Sequence, residues 1–196
     1  MKLYNKTKYP NELLEQLLVE AGKAVNARTS SVIVIATSAK PGYNHCYGTA
    51  HRADYVRRFA LDKRQYKKGS YELKKGEVET DGGYFNITLP YPFVPDWIKQ
   101  SDLYPRWMEA HSFDGLSIAE LIFSTASHEW QHIKQYQERK FNFRDKRERA
   151  KRHDNRAWER DAIKASSKAK AKPKDKAQGA MLSLALWIAG GSKCCN

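Results

Sequence analysis

The chain has 196 residues, enough for one domain with a buried core and appendages, and its 41% hydrophobic content with five Trp and eleven Tyr excludes a disordered chain. Its formal charge of +13 predicts a polyanionic partner or a strongly solvated basic face. Three cysteines, Cys46 and the adjacent Cys194 and Cys195, exclude a disulfide framework and a CxxC metal knuckle; with a polar start at Lys2, Asn5, Lys6 and Lys8, no signal peptide is expected and a reducing cytoplasmic setting fits.

In chain order, Pro10-Asn11 opens a helical pattern that carries Leu13, Leu14, Leu17, Leu18 and Ala21 to about Ala27. The β-branched run from Ser31 to Ala36 predicts a buried strand. Lys40-Pro41-Gly42 marks a loop, and no single pattern governs Tyr43 to about Leu61, where His45 and His51 read as structural rather than ligating. Thr80-Asp81-Gly82-Gly83 is a turn signal leading into a strand over Tyr84 to Leu89. Two placements of that strand stay open: a sheet edge that pairs with extended substrate peptide, or a central strand with no exposed edge. Between Leu89 and Gly115, residues such as Pro90, Pro95, Trp97, Pro105 and Trp107 predict an ordered loop with a short helix that covers core.

The next segment carries the chemistry. His128-Glu129-Trp130-Gln131-His132 reads HExxH, a spacing that serves a metal only on a helix, where residues four apart stack and both imidazoles reach one ion while Glu129 lies beside them. Ser117-Ile118-Ala119-Glu120 has the form of a capping box, and the helical period holds to about Arg139. Ile118, Ile122, Ala126, Trp130 and Ile133 fall on one face, and Glu120, Ser127, Gln131, Lys134 and Glu138 on the opposite one, with the histidines at the boundary. A catalytic zinc ion (Zn2+) takes three protein ligands and keeps one position open. Glu159, beside the apolar pair Trp158 and Ala162, is the chosen third ligand, with His153, Asp154 and Asp161 as rivals. Zinc there would make water acidic near neutrality, with Glu129 as general base and then as proton donor to the leaving amine. Tyr136, His153 and Tyr84 are candidate donors to the developing oxyanion.

HExxH followed by a helix reading Glu159-Arg160-Asp161-Ala162 resembles the gluzincin metallopeptidases, and the short gap after His132 is most similar to ImmA/IrrE-type and phage-encoded metallopeptidases. The resemblance covers about Ser117 to Ile163 and implies a zincin-like fold, Glu159 as third ligand and a protein or peptide substrate. Ile163 stands where many gluzincins carry an Asp behind the ligands, and the second helix is far more basic than theirs.

Arg139 to Lys176 holds 16 Lys or Arg against 6 Asp or Glu, +10 of the +13, which would attract nucleic acid through counterion release. Residues 164–179 read as a basic low-complexity linker or disordered tail. The apolar segment that follows, within 180–196, is too short for a membrane helix and is expected to dock on the domain or a partner. The expected fold is α+β: a zincin-like domain over 1–163, with a small sheet packed on the N-terminal helix and the HExxH helix, then a basic C-terminal extension. The expected function is zinc peptidase. Its rivals are a non-catalytic nucleic-acid-binding protein with a structural or degenerate metal site, and a zinc hydrolase of non-peptide amides.

Overall fold

The computed structural model describes residues 1–39, 46–51, 83–90, 92 and 118–191. Within them the fold is α+β, with a four-stranded sheet and five α-helices. The strands are β1 (Lys2–Lys6), β2 (Ile33–Ser38), β3 (Tyr47–His51) and β4 (Tyr84–Leu89). The helices are α1 (Asn11–Ala24), α2 (Ile118–Gln137), α3 (Lys146–Ala150), α4 (Ala157–Ala171) and α5 (Asp175–Gly191), with a 3-10 turn at His153–Asn155 before α4.

Sheet order is β1-β2-β4-β3. β1, β2 and β4 run parallel, and β3 closes the sheet antiparallel to β4, with Gly48 opposite Ile87 and Ala50 opposite Phe85. Parallel β1 and β2 need a crossover, which α1 supplies. β4 alternates, burying Phe85, Ile87 and Leu89 and leaving Tyr84, Asn86 and Thr88 half-buried, so one face of the sheet looks onto the helices. Because β4 lies between β2 and β3, it has no free edge for substrate pairing. Of the two placements the sequence allowed, the central one is found.

α2 is the central helix, in contact with α1, α4, α5, β3 and β4. No Gly or Pro interrupts its 20 residues, and every residue from Leu121 to Ile133 is buried. The expected polar face is therefore corrected: Ser127 and Gln131 lie inside, because α4 covers the side that the amphipathic pattern assigns to solvent. Trp130 anchors α2 to both neighbouring layers. Its indole N–H donates to the Leu18 carbonyl of α1 at 2.7 Å, and its ring meets Phe85 of β4 edge-on at 5.1 Å. α1 approaches this closely because residue 22 is glycine: a Cβ there would stand 3.0 Å from Trp130 Cε2 and 2.6 Å from Thr29 Cγ2. At its end α2 closes with Arg139 in the left-handed region (φ 51), where Lys140 N–H reaches the Gln135 carbonyl at 3.0 Å and Arg139 N–H that of Tyr136 at 3.3 Å. This reversal sends the chain back along α2. Ser117 of the expected capping box, the 80–82 turn and nearly all of the proline-rich stretch lie outside the described residues.

The linker expected over 164–179 is replaced by helix: α4 runs on to Ala171 and α5 begins at Asp175. Ala162, Ser166 and Ala169 are buried at helical spacing, and small side chains there let α4 lie close along α2. The apolar C-terminal segment docks on the core through Ala180 and Leu184, as one of its two expected fates, with Ala177 of the expected linker beside them. No described helix is long and apolar enough to cross a membrane.

Candidate metal centre

α2 brings His128 and His132 to one side, their rings nearly perpendicular (82°) with centroids 4.7 Å apart. Glu159, in the first turn of α4, faces them. Nε2 of His132 lies 3.1 Å from Nε2 of His128 and 3.1 Å from Glu159 Oε2, and His128 Nε2 lies 3.3 Å from the same oxygen. All three residues are nearly fully buried. The three atoms form a near-equilateral triangle. Donors about 2.0–2.1 Å from a tetrahedral zinc are separated by roughly 3.3–3.4 Å, so the residues fit that ion closely. The donor set, two imidazoles and one carboxylate, has the composition of a catalytic rather than a fully closed site.

Glu159 owes its position to the turns before it. Asp145 caps α3, accepting from Arg147 N–H at 2.8 Å, and Glu148 of α3 accepts the Ala157 N–H at 2.8 Å, capping α4 from a distance of nine residues. Burial raises the Glu159 carboxyl, but hydrogen bonds from His128, His132 and His153 outweigh it and hold the group well below the usual carboxylate range. His132 is lowered by burial and raised more by Glu159, Glu129 and Gln135, reaching about 9.

Of the rivals for third ligand, His153 sits behind Glu159: its Nε2 is 3.1 Å from Oε1, the oxygen turned away from the histidine pair. Asp161 is committed elsewhere, with Oδ2 accepting from Gln131 at 2.7 Å and Gln135 at 2.8 Å and Oδ1 paired with Lys140 at 2.7 Å. Asp154 pairs with Arg152 at 3.4 Å. The described cluster able to hold an ion is thus His128, His132 and Glu159, the combination read from the sequence.

Glu129 points toward β3. Its carboxyl takes a hydrogen bond from the Ala50 backbone, and Gly48 leaves the room it occupies, since a Cβ on Gly48 would overlap the Glu129 side chain. Burial is the main cause that pushes Glu129 up to about 7, against the pull of His132. Its Oε2 is buried with no hydrogen-bond partner among the described residues. Tyr136, one oxyanion candidate, reaches the Ala50 carbonyl at 3.4 Å, while Tyr84 pairs by register with His51 on β3. Gly48, Gln135 and Glu148 were not singled out from sequence. Gln135 alone carried a local signal, being three residues past His132 on one helix.

Compared with known proteins, the chain matches no family model, no curated protein and no solved structure.

Proposed function

We propose that this protein is a zincin-like, zinc-dependent peptidase in which His128, His132 and Glu159 hold the metal and Glu129 is the general base. The observation that carries the reading is the triangle of donor atoms with edges of 3.1, 3.1 and 3.3 Å beside a buried carboxyl raised to about 7. Bound zinc supplies Lewis acidity, polarising a carbonyl and making water a competent nucleophile near neutral pH.

The remaining work belongs to the chain. Glu129, with one oxygen bonded to β3 and Oε2 without a partner among the described residues, accepts the proton of the attacking water and later hands it to the leaving amine. A base near 7 matches that exchange, since it is neither too weak to take the proton nor too strong to release it. His153, on the outer oxygen of Glu159, keeps Oε2 directed at the histidine pair. The test is Glu129→Gln, which removes the base and leaves the donors in place. Hydrolysis of unfolded protein substrate should fall by at least about 10²-fold while bound zinc persists; full hydrolysis in this variant would sink the assignment.

A second reading is favoured by one observation: most Lys and Arg residues from Arg139 to Lys176 are exposed, on α3, α4 and the start of α5 and on the turns that join them. Such a concentration of exposed positive charge fits nucleic acid, either bringing the peptidase to nucleic-acid-associated proteins or serving a binding protein without catalysis. Binding that weakens steeply with salt in a mobility-shift titration supports contact, and salt-insensitive or absent binding removes it.

A further inference from the structure

Gln135 is fully buried on α2, three residues beyond His132. Its Nε2 donates to the Trp158 carbonyl at 2.9 Å and to Asp161 Oδ2 at 2.8 Å, and its Oε1 lies 2.9 Å from His132 Nδ1. A carbonyl and a carboxylate are acceptors only, so the amide cannot flip without setting oxygen against oxygen twice. Oε1 therefore needs a hydrogen from the ring. His132 must carry its proton on Nδ1, and when the ring is neutral the lone pair on Nε2 faces His128 and Glu159. Asp161 is itself fixed, by Gln131 Nε2 at 2.7 Å and by Lys140 Nζ at 2.7 Å. The order His132, Gln135, Asp161, Lys140 thus runs from the buried donor cluster to the surface, where the Lys140 side chain is 42% exposed.

We propose that Gln135, held by Asp161 and Lys140, is a positioning residue that presents His132 Nε2 as a metal donor, an inference resting on the zinc reading above. An acceptor behind a ligating histidine fixes both its tautomer and its ring orientation. Here the acceptor is a neutral amide, and its direction is imposed by a carboxylate on another helix. Packing of α4 on α2 therefore sets the quality of the donor.

The test uses the full chain. Zinc affinity is measured by competition with a chromogenic chelator, and the ring N–H of His132 is followed by NMR in 15N-histidine-labelled protein with and without zinc. Gln135→Met keeps volume and removes the acceptor; zinc should bind about 10- to 100-fold more weakly, and the slowly exchanging Nδ1–H signal of the wild type should vanish in both states. Gln135→Met also strips partners from Trp158 and Asp161, so a second variant guards against simple unfolding. Gln135→Glu keeps an acceptor behind the ring but sets it against the Asp161 carboxylate, and adding Asp161→Asn replaces that carboxylate with a side chain that can donate to it. The double variant should recover affinity and signal relative to Gln135→Glu alone. Unchanged affinity and signal in Gln135→Met, or a double variant no better than Gln135→Glu, would overturn the positioning role. A wild type that binds no zinc yet shows an Nδ1–H signal abolished by Gln135→Met would overturn the metal reading and leave the positioning of His132 standing.

Discussion

Gly48→Ala directs a methyl group at the proposed base. A Cβ at residue 48 would stand 2.6 Å from Glu129 Cδ and 2.8 Å from Oε1, against about 3.5–4.0 Å for ordinary carbon contacts. Either β3 or the carboxyl must therefore withdraw by roughly 1 Å, and Glu129 is walled in by burial and tied to the Ala50 backbone. Overpacking of this kind costs about 1–3 kcal/mol of stability, and a misplacement of about 1 Å at a reacting group costs on the order of 10²-fold in rate. Thermal and urea unfolding would read the first effect and kcat/KM on a quenched peptide the second, with zinc content expected to stay at the wild-type level. A double-mutant cycle isolates the cause: in a Glu129→Ala background the clash has no partner, so Gly48→Ala should lose most of its stability penalty. Gly179→Ala, where a Cβ meets nothing within 4 Å, is the control: it should leave kcat/KM unchanged and, lying inside α5, gain up to about 1 kcal/mol of stability. Equal penalties in both backgrounds, or a Gly48→Ala protein with wild-type kcat/KM, would refute the placement of Glu129 against β3.

Three further outcomes follow from the same contacts. Trp130→Phe removes the 2.7 Å hydrogen bond to Leu18 and opens space beside Phe85; it should cost about 2 kcal/mol in urea unfolding, and a loss below about 0.5 kcal/mol would contradict the anchoring role. Burial pushes the Cys46 thiol up to about 12, so it should react with a chromogenic disulfide reagent only after denaturation, and Cys46→Ala should delete that late-reacting thiol. Glu159 is held below the usual carboxylate range in the folded chain, so the unfolded chain takes up its proton first; this stabilisation is complete above the unfolded value of about 4.3 and is lost as pH falls further. The Tm of metal-free protein should therefore drop below about pH 4.3 less steeply in Glu159→Gln than in the wild type, and parallel curves would count against the imidazole contacts.

The legible parts of the sequence were those whose signal is local. The leucines of α1 and the β-branched run of β2 have strong periods, and HExxH fixes its own helix, so these elements and the pairing of His128 with His132 follow from spacing. Glu159 followed because an acidic residue beside a buried Trp in a helix is conspicuous. β1, reading Lys-Leu-Tyr-Asn-Lys, is mostly polar and exists by backbone pairing with β2, which no single-strand pattern reveals. β3 contains Gly48 and lacks a β-branched run, since its task is to approach Glu129 closely. The stretch 164–179 looks disordered by composition because Ala and Ser carry little hydrophobic signal, yet small residues are what a tight α2–α4 contact needs. Sheet order, and with it the central place of β4, depends on partners distant in sequence. So do the roles of Gly48 and Glu148, which are contacts made across the fold.

The most direct test is metal analysis of the purified wild type beside Glu159→Ala and His153→Ala. Three convergent donors predict one zinc per chain in the wild type, none in Glu159→Ala, and near-complete retention in His153→Ala, whose ring contacts the outer oxygen of Glu159 and not the oxygen that faces the histidine pair. Zinc that persists in Glu159→Ala, or that is lost only with His153, would contradict the account.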